Sequence, residues 1–351
     1  MGGHLPPVVA AARNAVRAAL RGVHPGPAPH HGPGAATPRC LVACSGGADS
    51  LALAAAAAHL AGRGELRAGA VVVDHGLQDG SRAAAERAAA QLRGLGLDPV
   101  LVRRVEVGGT GSEADARAAR YAALEEAAAV TGASAVLLGH TLDDQAEQVF
   151  LGLARGSGIR SLSGMPAARG VFLRPFLALR RADTEAVCAH EGLAFWTDPT
   201  NDGRHALRNR VRLDVLPVVE AALGPGTAEA LARTADLSRA DADYLDRAAA
   251  SALDALVRGD RPGELRLDLP GLRGLDAALA GRALRAAVVR VGGEPPTFER
   301  SAALGRLVAG SASAGPLQLA GHVEARRVRG AAGRGPLLML RRVPGPGSPD
   351  A

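Results

Sequence analysis

The chain contains no lysine: all 41 of its Lys-plus-Arg positions are arginine. That excludes a phosphate loop of the G-x-x-x-x-G-K-S/T type, whose lysine reaches the phosphates. It also excludes lysine Schiff bases and pyridoxal chemistry. Aromatic residues make up only 2% of the chain, so stacking on aromatic platforms is not expected to dominate any nucleic-acid contact. The three cysteines, Cys40, Cys44 and Cys188, form neither a CxxC nor a disulfide framework. They read as small buried apolar residues in a reducing compartment. Arg13 and Arg17 interrupt the amino-terminal apolar pattern, which removes a clean signal-peptide core. The longest apolar run, around 51–60, is too short to cross a bilayer. The expectation is a soluble cytoplasmic protein without a membrane partner.

What the chain does have is 351 residues with 47% apolar content, which suits two domains. The net charge of +6 permits an anionic partner. The stretch around which the rest is organised is Ser45-Gly46-Gly47-Ala48-Asp49-Ser50. The apolar run 40–44 precedes it and the Ala- and Leu-rich segment 51–61 follows. That order predicts a strand, a tight glycine turn and a helix. Two adjacent glycines let backbone N–H groups converge, and the helix start adds unpaired N–H groups and a positive dipole end. An anion of phosphate type fits there.

Strands are expected at 40–44, 68–73, 99–105 and 135–138, alternating with helices at 50–62, 81–95, 112–130 and 142–153. This alternation predicts an α/β fold, a doubly wound parallel sheet with helices on both faces. In such sheets ligands bind beyond the carboxyl ends of the strands. Asp49 and Ser50, Asp74 and His75, and the segment His140 to Asp144 all fall there. The expected domains are an amino-terminal helix and linker (1–37), a catalytic domain (38–223), a smaller, mainly helical domain ending in short β-strands (227–343) and a disordered tail (344–351). Gly224-Pro225-Gly226 marks the boundary, and the linker's His24, His30 and His31 read as a solvated loop.

Asp143, Asp144 and Glu147 lie on the first turns of one helix, where i,i+3 and i,i+4 spacing lets carboxylates converge. They suit Mg²⁺ beside phosphates or the handling of an attacking amine, and carboxylates at a helix start also serve as ordinary complements of its dipole. His75 and His140 are candidate polar contacts or structural histidines. Residues 148–182 carry six arginines and no acid, and Arg204, Arg208, Arg210 and Arg212 follow. The segment 316–342 carries six more against one acid, Glu324.

The pattern S-G-G-x-D-S after a buried strand resembles the PP-loop of the ATP pyrophosphatases. His140-Thr141-Leu142-Asp143-Asp144-Gln145-Ala146-Glu147 is similar to the G-H-x-x-D-D-Q-x-E motif of tRNA(Ile)-lysidine synthetases. Asp74-His75-Gly76-Leu77, Arg117 with Arg120 and Tyr121, Arg155-Gly156-Ser157-Gly158 through Met165, and Arg174-Pro175-Phe176 resemble further motifs of that family in order. Asp198 to Asn201, then Arg208-Asn209-Arg210-Val211-Arg212, complete the series. Gln78 stands where a basic residue is expected and Thr141 replaces a frequent second histidine. The match covers roughly 38–220 and looks like a short form of the family.

The resemblance implies ATP-dependent ligation of L-lysine to C2 of the wobble cytidine in a CAU-anticodon tRNA(Ile). The reaction would run through an adenylated base, release pyrophosphate and AMP, and change the codon read from AUG to AUA. It implies ATP binding by Ser45, Gly46, Gly47, Ala48, Asp49, Ser50, Asp74, His75 and His140, with Mg²⁺ on Asp49 and Asp144. It implies catalysis by Asp49, Asp143, Asp144 and Arg117. Contacts to tRNA or lysine would come from Arg120, Glu147, Arg155, Arg174, Arg208, Arg210 and Arg212. A homodimer is an open expectation. The rival readings are a tRNA thiolase of the same superfamily, an RNA-independent amide synthetase, and a non-catalytic nucleotide-binding module.

Overall fold

The computed structural model describes residues 5–21, 37–74, 81–105, 113–156, 158–197, 203–204, 206–311, 313–330 and 335–343. The expectations for His24, His30 and His31, for His75 to Gln78, for Ser157, for Asp198 to Asn201 and for the tail 344–351 lie outside these residues. Contacts divide the chain into Met1–Asp236 and Leu237–Ala351.

The first unit opens with α1 (Pro7–Leu20), β1 (Arg39–Cys44), α2 (Ala48–Gly62), β2 (Arg67–Asp74) and α3 (Ser81–Gly94). It continues with β3 (Val100–Arg104), α4 (Glu113–Thr131), β4 (Ala135–Leu138), α5 (Leu142–Ala154) and α6 (Ile159–Leu162). Two short strands, β5 (Ala168–Arg169) and β6 (Phe172–Leu173), precede α7 (Arg181–His190). Then come α8 (Leu207–Arg210), a π-helical turn (Val211–Val215), α9 (Leu216–Leu223) and α10 (Thr227–Leu256). The sheet runs β3-β2-β1-β4-β6-β5, parallel except for the β5–β6 pair.

Both faces of this sheet are covered, which is why its central strands are apolar throughout rather than alternating. Cys40, Val42 and Cys44 of β1 pack with α1, α2, α3 and α7, whereas Leu41 and Ala43 pack with Leu124, Ala127 and Ala128 of α4. The doubly wound sheet expected from the alternation is therefore present. Helix α2 is buried on nearly every side, from Leu51 through Ala57 and at Leu60. Its alanines allow α1 and α7 to approach closely, and Val9, Ala12, Val16 and Leu20 of α1 lie in the same core. Strand order reverses between β1 and β4, which opens a crevice beyond their carboxyl ends.

The second unit takes the rest of α10, then β7 (Val257–Arg261), β8 (Glu264–Asp268), α11 (Leu269–Arg273), α12 (Ala277–Arg290) and α13 (Phe298–Ala309). Strands β9 (Leu317–Leu319), β10 (Val323–Val328) and β11 (Leu337–Arg342) complete an antiparallel sheet ordered β7-β8-β11-β10-β9. The division between the units falls inside α10, later than Gly224-Pro225-Gly226. The reason is packing: Ala228 joins Leu142 and Ala146 in a small core of the first unit, and Ala235 lies fully buried against Gly164.

Candidate active site

The turn after β1 is built by its own side chains. Gly46 adopts φ +83°, a conformation L side chains rarely take, and Gly47 is the N-cap of α2 with no side-chain cap. The Ser50 hydroxyl donates to the Gly47 carbonyl at 2.9 Å and accepts from the Ser45 N–H at 3.2 Å. It also lies 3.4 Å from the Cys44 sulfur. This knot fixes the turn from below, and among the described residues no side chain caps the head of α2. Gly139, at the end of β4, is required by proximity: a Cβ there would sit 3.0 Å from the Asp49 carbonyl and 3.1 Å from the Ser50 nitrogen. The switch-point crevice is therefore bounded by α2 on one side and by His140 on the other.

Three carboxylates meet three arginines beside that turn. Asp49 accepts from the Thr184 hydroxyl and lies 3.5 Å from Arg181 Nε. Arg181 Nη2 also reaches Asp144 at 3.5 Å, so one guanidinium bridges the two aspartates. Asp144 closes a capping box at the head of α5, accepting from the Thr141 N–H at 2.8 Å. Arg208 and Arg212 approach Asp144 at 3.3 and 3.7 Å. Glu147 is fully buried and accepts from Arg208 Nε at 2.7 Å and Arg212 Nε at 2.6 Å. Arg208 and Arg212, four apart in the sequence, straddle the join between α8 and the π-helical turn, and both reach the same carboxylate.

The electrostatics differ among these groups. Burial pushes the Asp49 carboxyl above its usual range, the nearby Asp144 charge adds to that, and Thr184 and Arg181 oppose it. Burial also works against ionised Asp144, but Arg208, His140, the Thr141 N–H and Arg181 outweigh it, so its carboxyl is held below the usual range. His140 is lowered to about 3, by burial first and by Arg174, Arg208 and Arg120 against the pull of Asp144. It is therefore neutral near pH 7, and its Nδ1 is buried without a partner among the described residues. Burial lowers Arg120 as well; it has no ion-pair or hydrogen-bond partner among the described residues.

Several expected site residues are engaged differently. Asp143 accepts from the Arg181 N–H at 2.7 Å and pairs with Arg180 at 3.3 Å, so its carboxylate caps α7. Arg117 is exposed, with its guanidinium 5.1 Å over the Tyr121 ring. Arg174 is buried, donating to the Pro166 carbonyl at 2.8 Å and the Tyr121 hydroxyl at 3.3 Å. It braces the segment before β6 rather than offering a surface. Asp74 is buried at the end of β2, while Arg155 and Arg210 are exposed. Arg181 and Thr184 of α7 did not stand out as site residues in the sequence. The only local signal was Arg180 three residues before Asp183, which accepts from the Arg180 N–H.

A side-chain-knotted glycine turn at the head of α2, with carboxylates at the switch point of a parallel sheet, defines a PP-loop nucleotide-binding protein. The PP-loop domain family matches residues 28–219, and the TilS substrate binding domain family matches residues 267–332. A tRNA(Ile)-lysidine synthase of Leifsonia xyli is 51% identical over 84% of this chain and 89% of its own. Those of Streptomyces coelicolor and Thermobifida fusca are each 50% identical over 86% of this chain, and over 87% and 90% of their own. The chain belongs to the tRNA(Ile)-lysidine synthase family. In fold it is similar to the U34-tRNA thiolase NcsA of Methanococcus maripaludis, solved with its 4Fe-4S cluster. That likeness has a TM-score of 0.52 at 17% identity and covers 66% of this chain and 80% of that one.

Proposed function

We propose that this enzyme joins L-lysine to C2 of the wobble cytidine of CAU-anticodon tRNA(Ile), using ATP and passing through an adenylated base. The observation that carries this reading is the gathering of Asp49, Asp144 and Glu147 beside the PP-loop by Arg181, Arg208 and Arg212. A nucleotide cradle alone needs no such cluster. An amine donor and a charged nucleic acid both do.

In the first half-reaction the C2 oxygen attacks the α-phosphorus, and the bond to pyrophosphate breaks. The N–H groups at the head of α2 hold the departing pyrophosphate, aided by the dipole of a 15-residue helix. Arg120, rather than the exposed Arg117, supplies positive charge close to the turn, beside Cys44 and His140, because no described residue neutralises its guanidinium. Neutral His140 offers an uncharged hydrogen-bonding edge there. In the second half-reaction the lysine amine attacks C2 and AMP leaves with the oxygen. Glu147 and Asp144 attract the lysine ammonium and Glu147 receives its proton, while Arg208 and Arg212 turn toward the lysine carboxylate or RNA phosphates. Asp49 and Asp144 are the donors that fit Mg²⁺: two carboxylates near bound phosphates are the usual protein share of such a site. Bound there, the ion would neutralise charge on the phosphates.

The thiolase reading has no support in the cysteines. Cys40 and Cys188 are pushed up to about 12 by burial, and Cys44 is likewise raised. No group of three or more metal-ligating residues forms among the described residues. The deciding experiment supplies ATP, labelled lysine and tRNA, and measures pyrophosphate together with label in RNA. Lysine in RNA with tRNA-dependent pyrophosphate release supports the reading; pyrophosphate release that ignores tRNA contradicts it.

A further inference from the structure

Trp196 is the chain's sole tryptophan. Among the described residues of the first unit, the exposed aromatic side chains are Phe195 and Trp196, at 40% and 36% exposure. Of the others, Phe176 is fully buried, buried Phe172 meets half-buried Tyr121 edge to face at 4.8 Å, and Phe150 is half-buried. A tryptophan left open to water in a chain with so few aromatics calls for a use, since its burial would have stabilised the fold.

Its backbone position is fixed, and fixed to the PP-loop. The Trp196 N–H donates to the Gly46 carbonyl at 2.9 Å, and the Trp196 carbonyl lies 3.9 Å from where a Cβ of Gly47 would be. Two residues earlier, the Ala194 N–H donates to the Gln91 side chain of α3 at 3.1 Å and the Ala194 carbonyl accepts from it at 2.9 Å. An aromatic side chain on a backbone tethered in this way binds a flat partner with little ordering cost. The partners delivered to this turn are flat. ATP carries adenine, and the attacking base must leave its stack, losing contacts that an aromatic face can replace.

We infer that Trp196 is a nucleobase-stacking residue at the mouth of the PP-loop. The inference rests on the reading of this turn as the meeting place of ATP and an RNA base. It deepens that reading by naming a residue that grips the base rather than the phosphates.

The sole tryptophan makes the full-length protein its own probe. Pyrophosphate, ATP and tRNA are titrated separately while intrinsic fluorescence is followed, without lysine. Pyrophosphate is expected to leave the emission unchanged. Quenching by ATP alone assigns the platform to adenine, and quenching that needs tRNA assigns it to an RNA base. Trp196→Leu is expected to weaken binding of the quenching ligand about tenfold, with pyrophosphate affinity unchanged, and Trp196→Phe to restore it to within about threefold. Equal quenching by pyrophosphate and ATP would overturn the inference, as would a leucine variant that binds both base-bearing ligands as the parent does. The titration does not depend on lysine transfer, so intact quenching in a protein that forms no lysidine when lysine is supplied counts against the proposed function alone.

Discussion

Arg212 Nε lies 2.6 Å from Oε1 of Glu147, a carboxylate with no solvent exposure. Arg208 holds the other oxygen at 2.7 Å. Removing Glu147 leaves two partly buried guanidinium groups without their shared anion. Glu147→Ala is expected to lose roughly 3 kcal/mol of stability as well as lysine transfer. Glu147→Gln keeps the shape and is expected to lose transfer with a smaller drop in melting temperature. Urea melts of both variants check this; an alanine variant as stable as the parent would show that the pair is not structural.

Gly139 is where the end of β4 touches the first turn of α2. Gly139→Ala would place a methyl 3.0 Å from the Asp49 carbonyl, against backbone that cannot rotate away. The expected result is a displaced phosphate turn, with ATP affinity reduced at least tenfold and a stability loss of about 1–3 kcal/mol. Equilibrium ATP binding, set beside the melt, separates the two effects. Unchanged ATP affinity would mean that the turn does not hold the phosphates.

Asp49 and His140 set opposite acid responses. The Asp49 carboxyl is raised by burial, so its ionised form is lost at a higher pH than an ordinary aspartate's as the solution is acidified. The acid limb of kcat/KM should therefore lie above the usual carboxylate range. Arg181→Gln, which removes an opposing cation, should move it higher still. A limb that stays put in Arg181→Gln would assign it to another group. His140 is lowered from 6.5 to about 3, chiefly by burial. Its folded pKa lies below the unfolded one, so its contribution to stability is complete above 6.5 and is lost as pH falls toward 3. Melting temperatures of His140→Gln should therefore fall less steeply with acid than the parent's.

The arginine-rich segments predict salt-sensitive RNA binding. Each phosphate contact releases condensed counterion, so log affinity for tRNA should fall linearly and steeply with log salt. Arg210→Gln, at an exposed position in the cluster, should lower the slope by about 0.7–0.9. A nearly flat plot for the parent would remove the clusters from RNA binding.

The sheet, its strand-end ligand edge and the phosphate turn were legible because each is a local pattern: a buried run, paired glycines, a helical apolar segment. The convergence of Asp144 and Glu147 was legible for the same reason, being one helix face. What escaped depends on contacts far apart in the chain. Arg181 and Thr184 reach Asp49 across more than 130 positions, and nothing near them in sequence marks that meeting. Asp143 and Asp144 are neighbours in one motif, yet the structure sends one to α7 and keeps the other at the turn. Arg117 and Arg120 differ in the same way, because only tertiary packing decides which face of α4 is covered. Strands β5, β6 and β7 were too short or too polar to give a period.

The most direct test digests tRNA(Ile) after incubation with enzyme, ATP and lysine, and reads the mass of the wobble nucleoside. The account predicts a cytidine that has gained lysine with loss of water, made by the parent and not by folded Asp49→Ala or Asp144→Ala variants. An unmodified or sulfur-bearing wobble base from the parent would contradict it, as would lysidine formed at the parent's rate by either variant.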